Sequence, residues 1–209
     1  MKVAIIGASG KAGKLIMNEA LERGYDVTAI VRNKSKIDNT KVNVIEKDLF
    51  SLTKDDIKGF DVVVSAFGVW EEKELDKHSL VMEHLCKILS NTNIRLIVVG
   101  GAGSLYIDKN KKLMDSENFP EIFKPLANNM SKAFDILKNS KDVVWTYISP
   151  SADFSADGER TGEYNIGHDE LCFNSKGDSY ISYADYAIAL VDEIGNKKYL
   201  NQRITVVSK

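Results

Sequence analysis

Apolar runs of four to six residues recur along the chain, separated by longer stretches in which apolar positions return every three or four residues. The runs are Lys2 to Ile6, Val27 to Val31, Val42 to Ile45, Asp61 to Ala66, Arg95 to Val99 and Val143 to Ile148. They are continuous rather than alternating, the pattern of strands buried on both faces. Between them, Lys11 to Arg23, Glu74 to Leu89 and Pro125 to Asn139 read as helices, the first closed by Gly24. Thr53 and Asp56 have the spacing of a capping pair, so a short helical turn starts there. Ser182 and Asp185 repeat that spacing ahead of a helix over Tyr186 to Ile194, and Arg203 to Val207 reads as a last strand. Strands and helices in alternation build a parallel sheet covered on both sides. The expectation is therefore one α/β domain over residues 1–209, a doubly wound parallel sheet. Ser149 to Ser179 interrupts the pattern as an elaborated C-terminal loop region, with small strands expected at Glu163 to Ile166 and Leu171 to Phe173. Long loops after sheet strands tend to carry function.

Composition narrows the function classes. The 209 residues are 44% hydrophobic with three prolines, as in an ordinary folded domain, and the net charge of -2 offers no basic footprint for nucleic acid. The apolar start breaks at Gly7, too early for a signal peptide or a membrane span, which points to the cytoplasm. Cys86 and Cys172 lie in apolar runs and read as two buried, reduced thiols. His78, His84 and His168 lack the spacing and partners of a metal site, so no metal is expected.

The chemistry is concentrated in Gly7-Ala8-Ser9-Gly10-Lys11-Ala12-Gly13, which leaves the first strand and opens the first helix. Gly7 permits the tight turn, Gly10 lets backbone approach a pyrophosphate, and Gly13 lets helix pack on strand. In this context the motif predicts a Rossmann-like dinucleotide site. A phosphate loop of the GxxxxGK[ST] type is excluded, because five residues separate Gly7 from Gly13 and Leu15 stands where Ser or Thr would meet magnesium. The second strand ends Ile30-Val31-Arg32-Asn33 without a carboxylate to bind a ribose hydroxyl. Arg32, with Ser9 in the turn, suits a 2′-phosphate, so NADP(H) is expected over NAD(H). Asp48 and Leu49, just past the third strand, are placed to meet the adenine, with a solvated loop aspartate as the near-equal alternative for Asp48.

Together GASGKAG, the strand-end arginine, VVVSAFG, LIVVGGAGSL and WTYISPSADF resemble the atypical short-chain dehydrogenase/reductase proteins. The C-terminal GERTGEY and ISYADYAIALVDEI are similar to the NADH-flavin reductase group, related to biliverdin reductase B and NmrA-like proteins. The resemblance covers essentially the whole chain. It implies NAD(P)H binding and a flavin or similar diffusible acceptor. It also implies that Ser65, Ala66, Phe67 and Gly68 line the cofactor, and that Pro150 borders the nicotinamide.

One departure bears on mechanism. No tyrosine is followed four residues later by lysine, so carbonyl reduction through Tyr-x-x-x-Lys is not expected. Ser104 lies near the family's active-site serine and is the catalytic candidate, with a turn-forming serine as the equal alternative. Trp70, Tyr106 and Phe154, together with Phe67, follow strand ends and suit a planar acceptor. The leading expectation is an NADPH-dependent reductase of a free flavin or quinone, monomeric or homodimeric. The alternatives are a non-catalytic NADP(H) redox sensor acting through a protein partner, and an epimerase or dehydratase.

Overall fold

The computed structural model describes residues 1–209. Its strands are β1 (Lys2–Ile6), β2 (Asp26–Val31), β3 (Asn43–Glu46), β4 (Val62–Ser65), β5 (Arg95–Val99), β6 (Tyr106–Asp108), β7 (Lys111–Lys112), β8 (Val144–Pro150), β9 (Asp153–Ser155), β10 (Tyr164–Gly167), β11 (Tyr180–Ser182) and β12 (Gln202–Ser208). The helices are α1 (Lys11–Glu22), α2 (Lys54–Ile57), α3 (Lys77–Leu89), α4 (Lys124–Asn139) and α5 (Tyr183–Asn196). Eight strands form one sheet in the order β10-β12-β8-β5-β4-β1-β2-β3. All neighbours are parallel except β10, which lies antiparallel on β12 at the edge. This is the expected doubly wound sheet.

Strand residues of opposite parity feed two cores. Val3 and Ile5 of β1 join α1 and α5 through Ile16, Ala20, Tyr186 and Leu190. Ala4 and Ile6 join α3 and α4 through Val81, Leu85, Phe134 and Leu137 on the other face. Helix α5 is capped as the spacing predicted, with Ser182 Oγ accepting from Asp185 N at 3.0 Å. Thr53 and Asp56 likewise form a reciprocal capping box on α2. Because α1 follows β1 and α3 follows β4, adjacent strands send their chains to opposite faces. That divergence opens a crevice at the carboxyl ends of β1 and β4, the place where open α/β sheets bind ligands.

The C-terminal region departs from the sequence pattern. Leu171–Phe173 is not a strand; Leu171 N instead donates to the Tyr106 carbonyl at 2.9 Å, so the segment lies against a β6–β7 hairpin that no periodicity announced. The buried Asp185 carboxylate gathers the excursion by accepting from Thr161 N, Gly162 N and Thr161 Oγ1 at 2.7–3.2 Å. Cys86 and Cys172 are free but only half-buried, since Cys86 stands at the margin of the α3-side core and Cys172 lies outside both cores, against Gly167 of the edge strand β10.

Candidate functional site

The glycine turn sits in the crevice with each glycine under a different constraint. Gly7 has φ +76, and a Cβ there would lie 2.7 Å from the Ala66 carbonyl oxygen, so this position needs both left-handed backbone and close approach to the end of β4. A Cβ at Gly13 would collide with the Gly7 carbonyl, a fixed backbone neighbour. Gly10 is different. Its backbone is extended (φ -77, ψ 167), and a Cβ would meet only the Gly7 oxygen, at 3.3 Å. The chain's own packing therefore asks little of Gly10, and the space in front of it stays open to a ligand.

Gly10 caps α1 without a side-chain hydrogen bond, and the first turn holds no acidic residue. The first N–H groups of a helix lack intrahelical partners and carry its positive dipole end, so Lys11, Ala12 and Gly13 present an anion site. Ser9 and Lys11 are exposed beside it, and Ala8 is buried beneath. A cleft of about 300 Å³ adjoins the turn between α1, with Lys14 and Asn18, and the segment Lys36 to Asn39.

Arg32 stands exposed at the end of β2. The following Asn33 caps a helical turn over Lys34–Lys36 by accepting from Ser35 N at 2.9 Å and Ser35 Oγ at 2.7 Å. Ser35 and Lys36 follow Arg32 closely in the chain, and the Arg32 charge reaches Glu74, whose pKa is lowered first by the nearer Lys77 and less by Arg32; the sequence reading singled out only Arg32. Asp48 is exposed, and its Oδ1 accepts from Phe50 N at 2.9 Å, capping the turn that buries Leu49 in the α3-side core. Ser65 is buried, and Ala66 N donates to the Ile6 carbonyl at 3.0 Å, bringing residues 66–68 alongside the glycine turn. Pro150 ends β8 at the same edge of the sheet.

The expected acceptor residues do not converge. Phe67 meets His78 edge-on with centroids 5.5 Å apart, Tyr106 lies under the Arg203 guanidinium at 5.9 Å, and Phe154 stacks on Tyr183 at 3.9 Å and Tyr186 at 4.8 Å. None of the four aromatics stacks on another. Tyr106 borders a separate open cavity of about 480 Å³ with Ile107 and Phe173. Trp70 alone is uncommitted, 71% exposed in the loop after β4. Ser104 is also tied up: it is 5% exposed, and its Oγ accepts from Arg203 Nη1 at 3.0 Å, while Arg203 Nε bonds Asp169 at 2.6 Å. The hydroxyl is anchoring an arginine, in keeping with the turn-forming alternative.

The tyrosines agree with the missing Tyr-x-x-x-Lys pair. Tyr147 is encased in the core, and burial pushes its phenol up to about 12. Tyr164 donates to Asp192 at 2.7 Å, and its pKa is raised first by burial and then by that carboxylate.

His78, in the first turn of α3, is buried with Nε2 3.2 Å from the Val69 carbonyl. Burial lowers its pKa from 6.5, against the smaller raising effect of that hydrogen bond. The unfolded chain therefore takes up a proton near pH 6.5 that the folded one refuses until lower pH, and stability falls as pH drops through that window. Urea midpoints at pH 7.5 and 5.5 should differ less in His78→Leu than in the wild type. Equal differences would exclude His78 as a source. The signal for this residue was a histidine on the apolar face of a helix.

The chain is similar to several known proteins. The chain is 49% identical over 212 residues to the uncharacterized protein YwnB of Bacillus subtilis (strain 168), covering 100% of this chain and 99% of the relative. A solved Streptococcus pneumoniae structure, named a putative NADH-flavin reductase, superposes with TM-score 0.96 at 47% identity over 100% of both chains. A Burkholderia pseudomallei structure, named a putative exported protein, does so with TM-score 0.89 at 37% identity over 99% of both. No helix is long and apolar enough to cross a membrane. The profile of the NAD(P)H-binding family matches residues 7–197, starting on the first glycine of the turn and running through the last helix, and the chain belongs to that family.

Proposed function

We propose that this protein is an NADPH-dependent reductase that passes a hydride to a free flavin or quinone in the cytoplasm. The observation that carries the reading is the open space before Gly10 at a helix start that no side chain caps, together with the exposed Arg32 at the end of β2. The backbone of residues 10–13 would hold the pyrophosphate, Arg32 with Ser35 and Lys36 the 2′-phosphate, and residues 65–68 and Pro150 the nicotinamide half. Bound NADPH would supply the hydride. The chain's part is to orient donor and acceptor face to face and to exclude water. A flavin or quinone ring disperses the incoming charge and takes its proton from water, so no protein acid is required. This suits a site whose only serine candidate is bonded to Arg203 and whose tyrosines lack the lysine. The same absence disfavours an epimerase or dehydratase.

NADPH oxidation with FMN, riboflavin and a quinone offered separately tests the reading. Reduction of at least one acceptor is expected; with none reduced, the redox-sensor alternative takes its place. Ser104→Ala should cost far less than the ~10²–10⁴ in rate typical of a lost general acid, and Trp70→Ala should chiefly raise the acceptor KM. A full acid-sized loss in Ser104→Ala with cofactor binding intact would overturn the mechanism. For the cofactor, a charge-assisted contact worth ~1.5–3 kcal/mol predicts roughly a 10- to 100-fold preference for NADPH over NADH. Arg32→Ala should erase it in a titration of the two dinucleotides, and a preference that survives would place the 2′-phosphate elsewhere.

A further inference from the structure

His78 is a buried titratable side chain for which the reduction itself has no use, and its surroundings show what it holds. The loop between β4 and α3 leaves the sheet after Ala66, whose N–H is paired with Ile6, and rejoins regular structure at the turn starting from Glu71. Between them, residues 67–70 make no backbone–backbone hydrogen bond, and nothing lies within 4 Å of where a Cβ on Gly68 would stand. Their one hydrogen bond is from His78 to the Val69 carbonyl at 3.2 Å. A carbonyl oxygen only accepts, so the ring is held as the Nε2–H tautomer. The same ring supports Phe67 edge-on at 5.5 Å and 72°. One side chain, itself 7% exposed, thus grips the loop on both sides of Gly68, directly ahead of the exposed Trp70.

We propose that His78 is a positioning residue: its ring latches the loop of residues 67–70 to α3 and thereby sets where Trp70 stands at the cofactor edge. This rests on the reading of Trp70 as an acceptor contact. An aliphatic residue of similar size would fill the space but leave the Val69 carbonyl without its donor, and beyond Phe67, which packs against the α3-side core, residues 68–70 would keep no hydrogen bond to hold them. A glutamine keeps a donor able to reach the same carbonyl.

The test uses His78→Leu and His78→Gln, each also in a Trp145→Phe background, so that Trp70 is the sole tryptophan. In His78→Leu, time-resolved fluorescence anisotropy should gain a fast component from Trp70 while the overall correlation time stays. The acceptor KM should rise roughly 2- to 10-fold, the range for one lost hydrogen bond, with kcat and NADPH affinity little changed. His78→Gln should restore both. Unchanged anisotropy in folded His78→Leu overturns the latch. Altered anisotropy with no acceptor reduced by any form upholds the latch and overturns Trp70's role toward an acceptor. If His78→Leu does not fold, the ¹⁵N shifts of the wild-type ring decide: the Nε2–H tautomer supports the latch, and the Nδ1–H tautomer overturns it.

Discussion

Gly10→Val is expected to abolish dinucleotide binding in a protein that still folds. The turn itself tolerates the change, because the backbone of Gly10 is extended and a Cβ there meets one atom, the Gly7 oxygen at 3.3 Å, which must yield by a few tenths of an ångström. The branched side chain then occupies the approach to the first N–H groups of α1, where a pyrophosphate has to come within hydrogen-bond distance. Gly13→Ala provides the contrast. Its Cβ would strike the Gly7 carbonyl, so α1 must move off β1, and both stability and binding should fall. Isothermal titration with NADPH, together with thermal unfolding of each variant, separates the two. Retained binding in Gly10→Val would move the site away from this turn.

The second large effect is on stability, at the amino ends of the strands, opposite the glycine turn. Arg95, the first residue of β5, and Glu193 of α5 form an ion pair in which both side chains are almost completely buried. Arg95 also donates to Thr146 Oγ1 and, at 2.9 Å, to the Glu193 carbonyl, while the Glu193 carboxylate accepts from Tyr199 N at 2.9 Å. Burial lowers the arginine's pKa and the glutamate opposes it. Glu193→Ala strands a buried guanidinium, a change that costs ~3–5 kcal/mol. The urea midpoint should drop by about 1 M or more. The double variant Arg95→Met/Glu193→Leu should recover part of the loss, since it removes the stranded charge but does not restore the bonds that the Glu193 carboxylate accepts from Lys198 N and Tyr199 N. Removing the exposed Lys58–Asp55 pair should change nothing measurable. A midpoint unmoved by Glu193→Ala would refute the account. NADPH affinity should be unchanged well below the midpoint, because the pair lies at the amino end of β5 and the glycine turn at the carboxyl end of β1.

What the amino-acid sequence determined by itself is the unit of β1, the glycine turn and α1. The strand Lys2–Ile6, the turn through Gly7, Gly10 and Gly13, and the helix from Lys11 are contiguous, so their geometry follows from local constraints: an apolar run, a residue able to take φ +76, and a helix start. The parallel sheet was legible for a related reason, since only strands covered on both faces read as unbroken apolar runs. Boundaries drifted by one to three residues, as when β3 was expected at Val42–Ile45 and forms at Asn43–Glu46, and α3 was expected from Glu74 and starts at Lys77.

Tertiary structure decided the rest, wherever a side chain's partner is distant along the chain or set by the path of a loop. Ser104 reads alike as a catalytic or a turn residue until β12 brings Arg203 to it across 99 positions. Leu171–Phe173 has the composition of a strand but meets the Tyr106 hairpin instead of the sheet edge, which β10 already occupies. The aromatics that follow strand ends share a position in the pattern, yet packing sends Phe154 to α5, Tyr106 to Arg203 and Phe67 to His78. Periodicity specifies which face of an element is apolar. It does not specify which distant group closes over that face, because that choice depends on how the loops connect and which polar groups must find partners once buried.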